Sequence, residues 1–464
     1  METNDTISAK DYVAQLMERA KKAQAVLEDY TQEQVDELVT AICWDIVKDG
    51  PAQEIAEMAA KESRMGDAKS KYAKLMTKLK GALWDMKGVK SVGLIEVDEE
   101  KGLMKFAKPV GVVGAIIPCT NPEATPVLKA MMSIKGRNAC VFAPHPRTKK
   151  TNTMIVNLMR ATLKRYGAPE DLLIGIENPS LDITNEVMKQ SDLVVATGGG
   201  ALVRAAYSSG TPAYGVGQGN ASVIVDETAD LKDAANKIMR SKTFDMATSC
   251  STENSLVVQE GIYDELIANL KAEGGYLVNK EEKAKLQNWM WIDGHLNGEI
   301  VAQPLQTIAK GAGLIIPEDR TFFMVEEEGV GRDFPFSGEK LSVVTTIYKY
   351  KEFDQAVDKV IEILNYEGKG HSCGIHSFNE DHIMKLCLAV KASRIMVRQA
   401  QCLSNSGSWT NGMPMTLSLG CGVWGKNITT ENITWRHLIN VTWVSKPIVR
   451  HIPTDDELFD SIKR

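Results

Sequence analysis

The sequence predicts an α/β protein built from two doubly wound domains, together with a small β element that includes a strand from near the C-terminus. Three observations predict this architecture. Short apolar runs alternate with helical patterns from about residue 109 to 197, and a second alternation runs from about 237 to 423. A hairpin pattern at 91–108 precedes the first alternation, and a run of alternating character at 439–444 follows the second.

The length and composition are those of an ordinary globular protein. The 464 residues are enough for two or three domains, and 44% of them are hydrophobic while 25% are charged. The net charge of −6 gives no reason to expect a nucleic acid or an anionic membrane as a partner. No apolar run approaches the roughly 20 residues that cross a bilayer. Residues 1–11 lack the apolar core of a signal peptide, so we expect a cytoplasmic protein.

The first part of the chain divides into helices and then alternating elements. Residues 9–88 have helical patterns, and Thr31 with Gln34 three places later predicts a capped helix start. The pattern then predicts strands at 110–117, 139–143, 172–176 and 193–197, separated by helices at 126–135, 151–166 and 183–190. The first of these strands is continuously apolar, as is typical of a parallel sheet that is covered on both faces.

The second alternating region is predicted to form the other sheet. Its strands are expected near 255–259, 322–326, 343–347 and 394–397. We therefore predict a dinucleotide-binding domain at 1–237, which includes the hairpin, and a catalytic domain at 238–425. The C-terminal segment, 426–464, is predicted to return to the first domain and to an oligomer interface.

Cys250 is the most informative residue for chemistry. It lies in a small polar stretch, 247–254, directly before the apolar run 255–258. A thiol at the mouth of a buried strand, among hydroxyl groups and backbone amides, suits a nucleophile that attacks a carbonyl and holds the acyl group as a thioester. None of the eight cysteines forms a CxxC pair, so the sequence predicts neither a zinc site nor a redox pair.

Four other segments have residues suited to binding or catalysis. The glycine-rich loop 197–204 opens a helix, which fits either a phosphate site or an ordinary strand–helix turn. The basic turn 143–150 follows another strand and fits an adenosine phosphate or a solvated surface. Asn121 precedes a proline and fits a turn or an oxyanion donor. His371, between glycines, is either structural or the proton carrier for a distant cysteine.

In their order and spacing, these motifs resemble the aldehyde dehydrogenase superfamily, specifically its CoA-acylating branch, over residues 12–450. The resemblance implies an aldehyde-dehydrogenase-like fold with Cys250 as the nucleophile, Asn121 as the oxyanion donor and His371 as a proton carrier or orienting group. The 121-residue spacing from Cys250 to His371 and the segment 419–425 are also similar to that branch. The resemblance further implies that the cofactor-binding residues are Thr120, His145, Pro146, Arg147, Thr197, Gly198, Gly199, Gly217, Glu339 and Leu341.

The expected acceptor of the acyl group is CoA. Hydrolytic relatives carry a glutamate base that activates water against the thioester, and alignment on Asn220 places Gly215 at that position. Without this carboxylate, a second thiol is the expected acceptor. The oxidant is expected to be NAD or NADP, because His145 and Arg147 fit a 2′-phosphate and no clear acidic ribose ligand stands out on their loop.

The substrate is expected to be a short anionic aldehyde, and sulfoacetaldehyde is the first choice. The alternative functions are those of an acylating succinate-semialdehyde dehydrogenase or an acylating acetaldehyde dehydrogenase. Arg398 and Arg204 are the candidate substrate residues, and Arg398 fits either an anionic tail or a surface ion pair. A cysteine hydrolase that needs no nicotinamide and a non-catalytic homologue are the competing interpretations. The hairpin and the tail strand are similar to the family's oligomerisation element, in which the tail pairs with a partner subunit, so a homodimer or homotetramer is expected.

Overall fold

In the computed structural model, which describes residues 7–462, the chain begins with helices that pack on the first sheet. They are α1 (Ala9–Leu27), α2 (Gln32–Val47), α3 (Pro51–Ser63), α4 (Ala68–Lys74) and α5 (Lys80–Met86). Thr31 caps α2 by the predicted exchange of hydrogen bonds with Gln34. A π-helical turn, Leu75–Leu79, joins α4 to α5, so the backbone closes wider hydrogen-bonded loops within one continuous helical segment. The prediction of helices over residues 9–88 is confirmed.

The predicted hairpin and the first parallel sheet follow. The hairpin is β1 (Gly93–Asp98) and β2 (Leu103–Pro109), and the sheet strands are β3 (Val112–Ile117), β4 (Ala139–Pro144), β5 (Leu173–Gly175), β6 (Leu193–Thr197) and β7 (Ala213–Val216). The helices between them are α6 (Thr125–Lys135), α7 (Lys149–Arg165), α8 (Leu181–Gln190) and α9 (Gly200–Tyr207). The strand order is β5-β4-β3-β6-β7, so the chain reverses its winding direction beside β3. The loops after β3 and β6, which carry Asn121 and Gly198, therefore meet at one edge of the sheet.

Seven parallel strands form the second sheet. They are β8 (Ala221–Val225), β9 (Glu253–Gln259), β10 (Gly275–Leu277), β13 (Phe322–Glu326), β14 (Val344–Tyr350), β15 (Cys373–His376) and β16 (Ile395–Val397), and a small hairpin is formed by β11 (Trp291–Ile292) and β12 (His295–Leu296). The helices here are α10 (Leu231–Thr243), α11 (Tyr263–Ala272), α12 (Lys280–Met290), α13 (Leu305–Gly311), α14 (Phe353–Tyr366), α15 (Glu380–Ala389) and α16 (Gln401–Ser404). The strand order is β10-β13-β14-β9-β8-β15-β16.

The position of β8 differs from the predicted domain boundary at 237/238. This strand pairs with β9 and β15, so the change from one sheet to the other occurs between Val216 and Ala221. The five residues of β8 are all buried, as are those of β3. A run of buried apolar residues predicts a parallel strand but does not specify which sheet it joins.

The tail strand lies at the edge of the small three-stranded sheet that also contains the hairpin. β17 (Ile439–Ser445) pairs antiparallel with β2 of the same chain, from Ile439 opposite Pro109 to Ser445 opposite Leu103. The hairpin therefore supplies the neighbour for one edge of the tail strand, and pairing of its other edge with a partner subunit stays a prediction. After β17 the described chain contains only the short helix α17 (Asp455–Phe459). The number of subunits stays a prediction.

Separate apolar clusters stabilise the two sheets. Adjacent residues of β8 alternate between the faces of its sheet: Val223 belongs to one buried cluster and Ile224 to another. A larger cluster joins the N-terminal helices to the first sheet and includes Ile42 and Val113. Within residues 7–462, no helix has both the length and the apolar character needed to span a bilayer.

Candidate active site

Cys250 lies in the turn that leads into β9, near the middle of the second sheet. The loop between β7 and β8 presses directly against this turn. A Cβ atom on Gly219 would clash with the carbonyl oxygen of Cys250, so only glycine allows this approach. The cysteine is partly exposed to a cavity and is otherwise surrounded by protein atoms.

Cys250 and His371 are brought together although 121 residues separate them in the chain. The Sγ atom lies 3.1 Å from His371 Nε2, and His371 Nδ1 lies 2.8 Å from the hydroxyl of Ser372. His371 is fully buried. If Nδ1 carries the imidazole proton and donates to Ser372, then Nε2 is the free acceptor that faces the thiol.

Both members of this pair are neutral at pH 7. Burial raises the pKa of the Cys250 thiol well above its ordinary value, and the negative charge of Glu339 raises it further. Burial, assisted by the positive charge of Arg394, lowers the pKa of His371 to about 3. The thiol proton must therefore move to His371 as the sulfur attacks, because a preformed ion pair is unfavourable here.

Because His371 is buried in its neutral form, the stability of the folded protein is expected to depend on pH. The folded-state pKa of about 3 lies below the ordinary value of 6.5, so the unfolded chain binds the proton first as the pH falls. The contribution of neutral His371 to the free energy of unfolding is therefore complete above the unfolded-state pKa, and it is lost as the pH falls toward the folded-state pKa. Between about pH 7.5 and about pH 5, the wild type is expected to lose about 2 kcal/mol more stability than His371→Gln. Urea titrations at both pH values test this, and equal losses in the two proteins would contradict the neutral imidazole.

Arg394 fixes the loop that carries His371. Its guanidinium is almost fully buried and donates to the carbonyl oxygens of His371 (2.9 Å) and Gly420 (2.7 Å), as well as to the side chain of Asn432 (3.2 Å). Arg394 therefore holds backbone segments together, and it does not line the cavity beside Cys250.

Asn121 reaches the same cavity from the first sheet. Its Oδ1 accepts a hydrogen bond from Lys74, and its Nδ2 donates to Thr120 Oγ1 at 3.3 Å. The other N–H of the amide has no acceptor among residues 7–462. The backbone N–H of Cys250 also donates to no acceptor within residues 7–462. The backbone carbonyl of Asn121 accepts a hydrogen bond from Thr125 N at 3.3 Å, so the predicted turn is present as well. Asn121 therefore combines a turn with a position on the cavity.

The cavity beside Cys250 has a volume of about 640 Å³ and is cationic. Its charged lining residues are Lys74, Lys78, Lys237, Arg240 and Arg398, and no Asp or Glu is among the residues of the described chain that line it. Lys78 donates only to backbone carbonyls, including those of Leu403 and Ser406. An anionic substrate is favoured electrostatically in such a cavity.

Arg398 and Arg204 have different positions. Arg398 lines the cavity, packs over the ring of Phe378 at 4.5 Å, and uses one guanidinium nitrogen to donate to the carbonyl of Ser377 at 2.6 Å. It has no ion-pair partner in the part of the chain that the structure describes, so the rest of its donor fork is available. Arg204 is exposed on α9 and does not line the cavity, because its helix packs against the first sheet. The structure therefore does not place Arg204 with the substrate.

The predicted cofactor residues lie along the carboxyl edge of the first sheet and in the loops that face it. Thr197, Gly198 and Gly199 form the turn from β6 into α9, and open space lies where a Cβ of Gly199 would be. Thr120 directly precedes Asn121. Gly217 follows β7, and its N–H donates to Asn427 Oδ1 at 3.2 Å.

Glu339 has a feature that suits a ribose. Its Oε1 is buried and has no hydrogen-bond partner within residues 7–462, so a hydroxyl donor fits there. Burial, and then the nearby Glu367, raise the pKa of Glu339 to about 8. Leu341, two residues on, has a left-handed backbone (φ 43°), and its carbonyl accepts from Ala302 N at 2.8 Å. The residues present therefore fit a nicotinamide ribose at this point.

The predicted adenosine end is a surface turn. His145 Nδ1 accepts from the backbone N–H of Arg147 at 3.1 Å, with Pro146 between them, and all three residues are exposed. Arg147 lines a separate cavity of about 700 Å³ together with Arg64. Neither arginine has an ion pair in the described chain, but Glu62 and Glu299 line the same cavity, so its charges do not distinguish a 2′-phosphate from a 2′-hydroxyl.

Gly215 lies where hydrolytic relatives were expected to hold a base. A Cβ atom there would lie 2.6 Å from Val203 Cγ1 and 2.8 Å from the ring of Tyr207, both on α9. The N–H of Gly215 donates to the hydroxyl of Tyr207 at 2.9 Å. Side-chain packing thus fills the space around this position, and a glutamate could not replace the glycine without moving α9.

Sequence reasoning missed a set of basic residues at this site. Lys71, Lys74 and Lys78 recur at helical spacing, and all three are buried. Three lysines on one face of a helix are unusual in a core, and this spacing was the available signal. Arg240 was also missed, since it lies on an amphipathic helix where a surface role is the ordinary expectation.

The comparisons with known proteins agree with this geometry. Residues 6–284 match the sequence profile described as "Aldehyde dehydrogenase family". The chain therefore belongs to the aldehyde dehydrogenase family. It is 50% identical over 452 residues to the "Sulfoacetaldehyde dehydrogenase (acylating)" of Bilophila wadsworthia, with 96% of this chain and 97% of the relative covered.

Two solved structures are also similar. An acetylating aldehyde dehydrogenase from Geobacillus thermoglucosidasius superposes with a TM-score of 0.92 at 39% identity, covering 96% of this chain and 98% of the other. A Rhodopseudomonas palustris propionaldehyde dehydrogenase with bound propionyl-CoA superposes with a TM-score of 0.83 at 25% identity, covering 96% and 98%. The predicted aldehyde-dehydrogenase-like α/β fold is thereby confirmed.

Proposed function

We propose that this protein is a CoA-acylating aldehyde dehydrogenase that converts a short anionic aldehyde, sulfoacetaldehyde first, into its acyl-CoA with NAD+ or NADP+. The observation that carries the proposal is the 3.1 Å contact between Cys250 Sγ and His371 Nε2 beside a cationic cavity. The similarity to an acylating sulfoacetaldehyde dehydrogenase supports it. Family membership and the unpartnered Glu339 oxygen disfavour a cysteine hydrolase that works without a nicotinamide.

In the first half of the reaction, the sulfur of Cys250 forms a bond to the aldehyde carbon. His371 Nε2 accepts the thiol proton, and Ser372 stabilises the charged imidazole through Nδ1. The carbonyl oxygen becomes negative, and the free N–H of Asn121 and the N–H of Cys250 are the donors available to it. Glu339 and the turn at Gly198 and Gly199 would hold a nicotinamide, which would supply the acceptor for the hydride that leaves the carbon as the thioester forms on Cys250.

In the second half, the thiol of CoA attacks this thioester and Cys250 is the leaving group. Once His371 has released the first proton to solvent, it is placed to take the proton of the incoming thiol and to return it to Cys250. Packing around Gly215 leaves no carboxylate at that position to activate water. Transfer to a thiol is therefore favoured over hydrolysis.

The fate of the thioester tests this function. With sulfoacetaldehyde and NAD+ or NADP+ but no CoA, the protein is expected to form about one reduced nicotinamide per active site and then stop. Addition of CoA is expected to start steady turnover with sulfoacetyl-CoA as the product, followed by nicotinamide absorbance and mass spectrometry. A matched reaction with acetaldehyde controls for the charge on the substrate. Steady turnover without CoA, with release of the free acid, would instead identify a hydrolytic enzyme.

A further inference from the structure

Lys74 lies between two buried acids and the amide of Asn121. Its Nζ atom is 2.7 Å from Asp245 Oδ2 and 3.0 Å from Glu123 Oε1, and it also donates to Asn121 Oδ1. Burial opposes the charge on this lysine, but Asp245 and Glu123 outweigh it and raise the pKa above the ordinary value. Lys74 therefore stays charged and can only donate hydrogen bonds.

The hydrogen bond from Lys74 fixes the orientation of the Asn121 side-chain amide. An asparagine side chain can rotate to exchange its oxygen and nitrogen, and only the nitrogen can stabilise a negative oxygen. Because Lys74 has no acceptor to offer, the oxygen of Asn121 must face it. The nitrogen is then directed to Thr120 Oγ1 and to the free position in the cavity.

The same contacts connect Asn121 with the turn that carries Cys250. Asp245 also accepts from Thr248 Oγ1 at 2.8 Å, two residues before Cys250. Asp245, Met246 and Ala247 all have left-handed backbone conformations, with φ values of 50°, 51° and 60°. Non-glycine residues adopt this conformation at a cost, so surrounding contacts must hold it, and the Lys74–Asp245 ion pair is one of them.

We propose that Lys74 is a positioning residue for the reaction: it holds the Asn121 amide with its N–H toward the developing oxyanion. This inference rests on the proposed function, since it assigns Lys74 an effect only through Asn121. Lys74 makes no contact with the sulfur of Cys250 in the described structure, so it is not itself a proton donor or acceptor in the mechanism.

Lys71 provides a matched control. It is also fully buried on the same helix and lies 3.1 Å from Asp245 Oδ2 and 3.8 Å from Glu123 Oε2. However, it donates to the carbonyl of Thr120 at 3.3 Å and does not reach the amide of Asn121. Replacement of either lysine leaves the same acids short of a cation, so the two variants should lose similar stability and differ in their effect on the oxyanion.

The test is a double-mutant cycle on the acylation burst measured with sulfoacetaldehyde. Asn121→Ala is expected to lower the burst rate about 100-fold or more, the loss typical for one oxyanion donor. Lys74→Met is expected to lower it at least about 10-fold with little change in aldehyde KM, and Lys71→Met considerably less. In the Asn121→Ala background, Lys74→Met should cause no further loss. Lys74→Arg retains the charge and the hydrogen-bond donors, so it should recover part of the burst rate. If Lys74→Met folds poorly, Lys74→Arg replaces it in a second double-mutant cycle with Asn121→Ala. Thermal unfolding monitors folding throughout.

Two outcomes would overturn the inference. If Lys74→Met or Lys74→Arg lowers the burst rate by the same factor with and without Asn121, then Lys74 does not act through that amide. The same conclusion follows if Lys71→Met and Lys74→Met slow the burst equally. If Asn121→Ala itself has no effect on the burst, the oxyanion role in the proposed function fails together with this inference, so the two failures are distinguishable.

Discussion

Replacement of Cys250 by alanine is expected to abolish acyl-CoA formation, with a fall in kcat of more than about 1,000-fold, because Cys250 is the thiol whose sulfur contacts His371. The acyl adduct on the intact protein should disappear as well. Incubation with sulfoacetaldehyde and NAD+ or NADP+ in the absence of CoA, followed by mass spectrometry, measures this adduct directly. The thermal unfolding temperature should change little, since the substitution removes one sulfur atom beside an open cavity.

Cys387→Ala is the matched control. Cys387 is an exposed cysteine on α15, so its loss is expected to leave both turnover and the adduct unchanged. Normal acyl-CoA production by Cys250→Ala would refute the nucleophile assignment. An adduct that persists and maps to Cys402, the other thiol that lines the cavity, would move the nucleophile to that residue.

The second large effect is expected for Arg398→Ala, which should reduce the preference of the enzyme for sulfoacetaldehyde over acetaldehyde. The kcat/KM for sulfoacetaldehyde should fall by roughly 30- to 1,000-fold, because loss of one partner of a desolvated charge pair costs about 2–4 kcal/mol. The kcat/KM for acetaldehyde should change by less than about threefold, since that substrate has no charge to hold. Steady-state kinetics with saturating CoA compare the two aldehydes.

Two further variants make this result specific. Arg204→Ala removes an exposed arginine outside the cavity and should leave both substrates unaffected. Arg398→Lys keeps the charge but loses the planar fork, so it should recover only part of the activity with sulfoacetaldehyde. Equal losses for charged and uncharged aldehydes would instead show that Arg398 supports the backbone through Ser377.

Most of the fold could be predicted from the sequence, because buried parallel strands and amphipathic helices have distinct periodicities. The strands β3, β4 and β6 were predicted within two residues of their ends. Sheet membership could not be predicted in the same way: β8 has the same apolar pattern as a strand of the first sheet, and only its pairing with β9 and β15 distinguishes it. Likewise, the pattern of β17 predicts a strand but does not reveal that β2 is its neighbour.

The candidate site was predictable where a residue's chemistry depends on its local surroundings. Cys250 and His371 both lie in short polar or glycine-rich stretches, and the structure brings them into contact. The interactions of Lys74, Asp245 and Asn121 could not be predicted, because they join three segments that are distant in the chain. The sequence favoured Arg398 over Arg204 as a substrate residue, and the structure places Arg398, but not Arg204, on the cavity beside Cys250.

The π-helical turn at Leu75–Leu79 makes the position of Lys74 sensitive to chain length. Such a turn contains one residue more than a regular helix of the same rise, and it lies between Lys74 and α5, which is anchored by its own packing. Deletion of a single residue here would restore a regular helix with its flanking segments in their present relation, whereas one further insertion would rotate everything before it by about 100°. Lys71 and Lys74 would then turn away from Asp245. We therefore expect homologues to tolerate substitutions, or loss of the one extra residue, within this segment far better than further single-residue insertions.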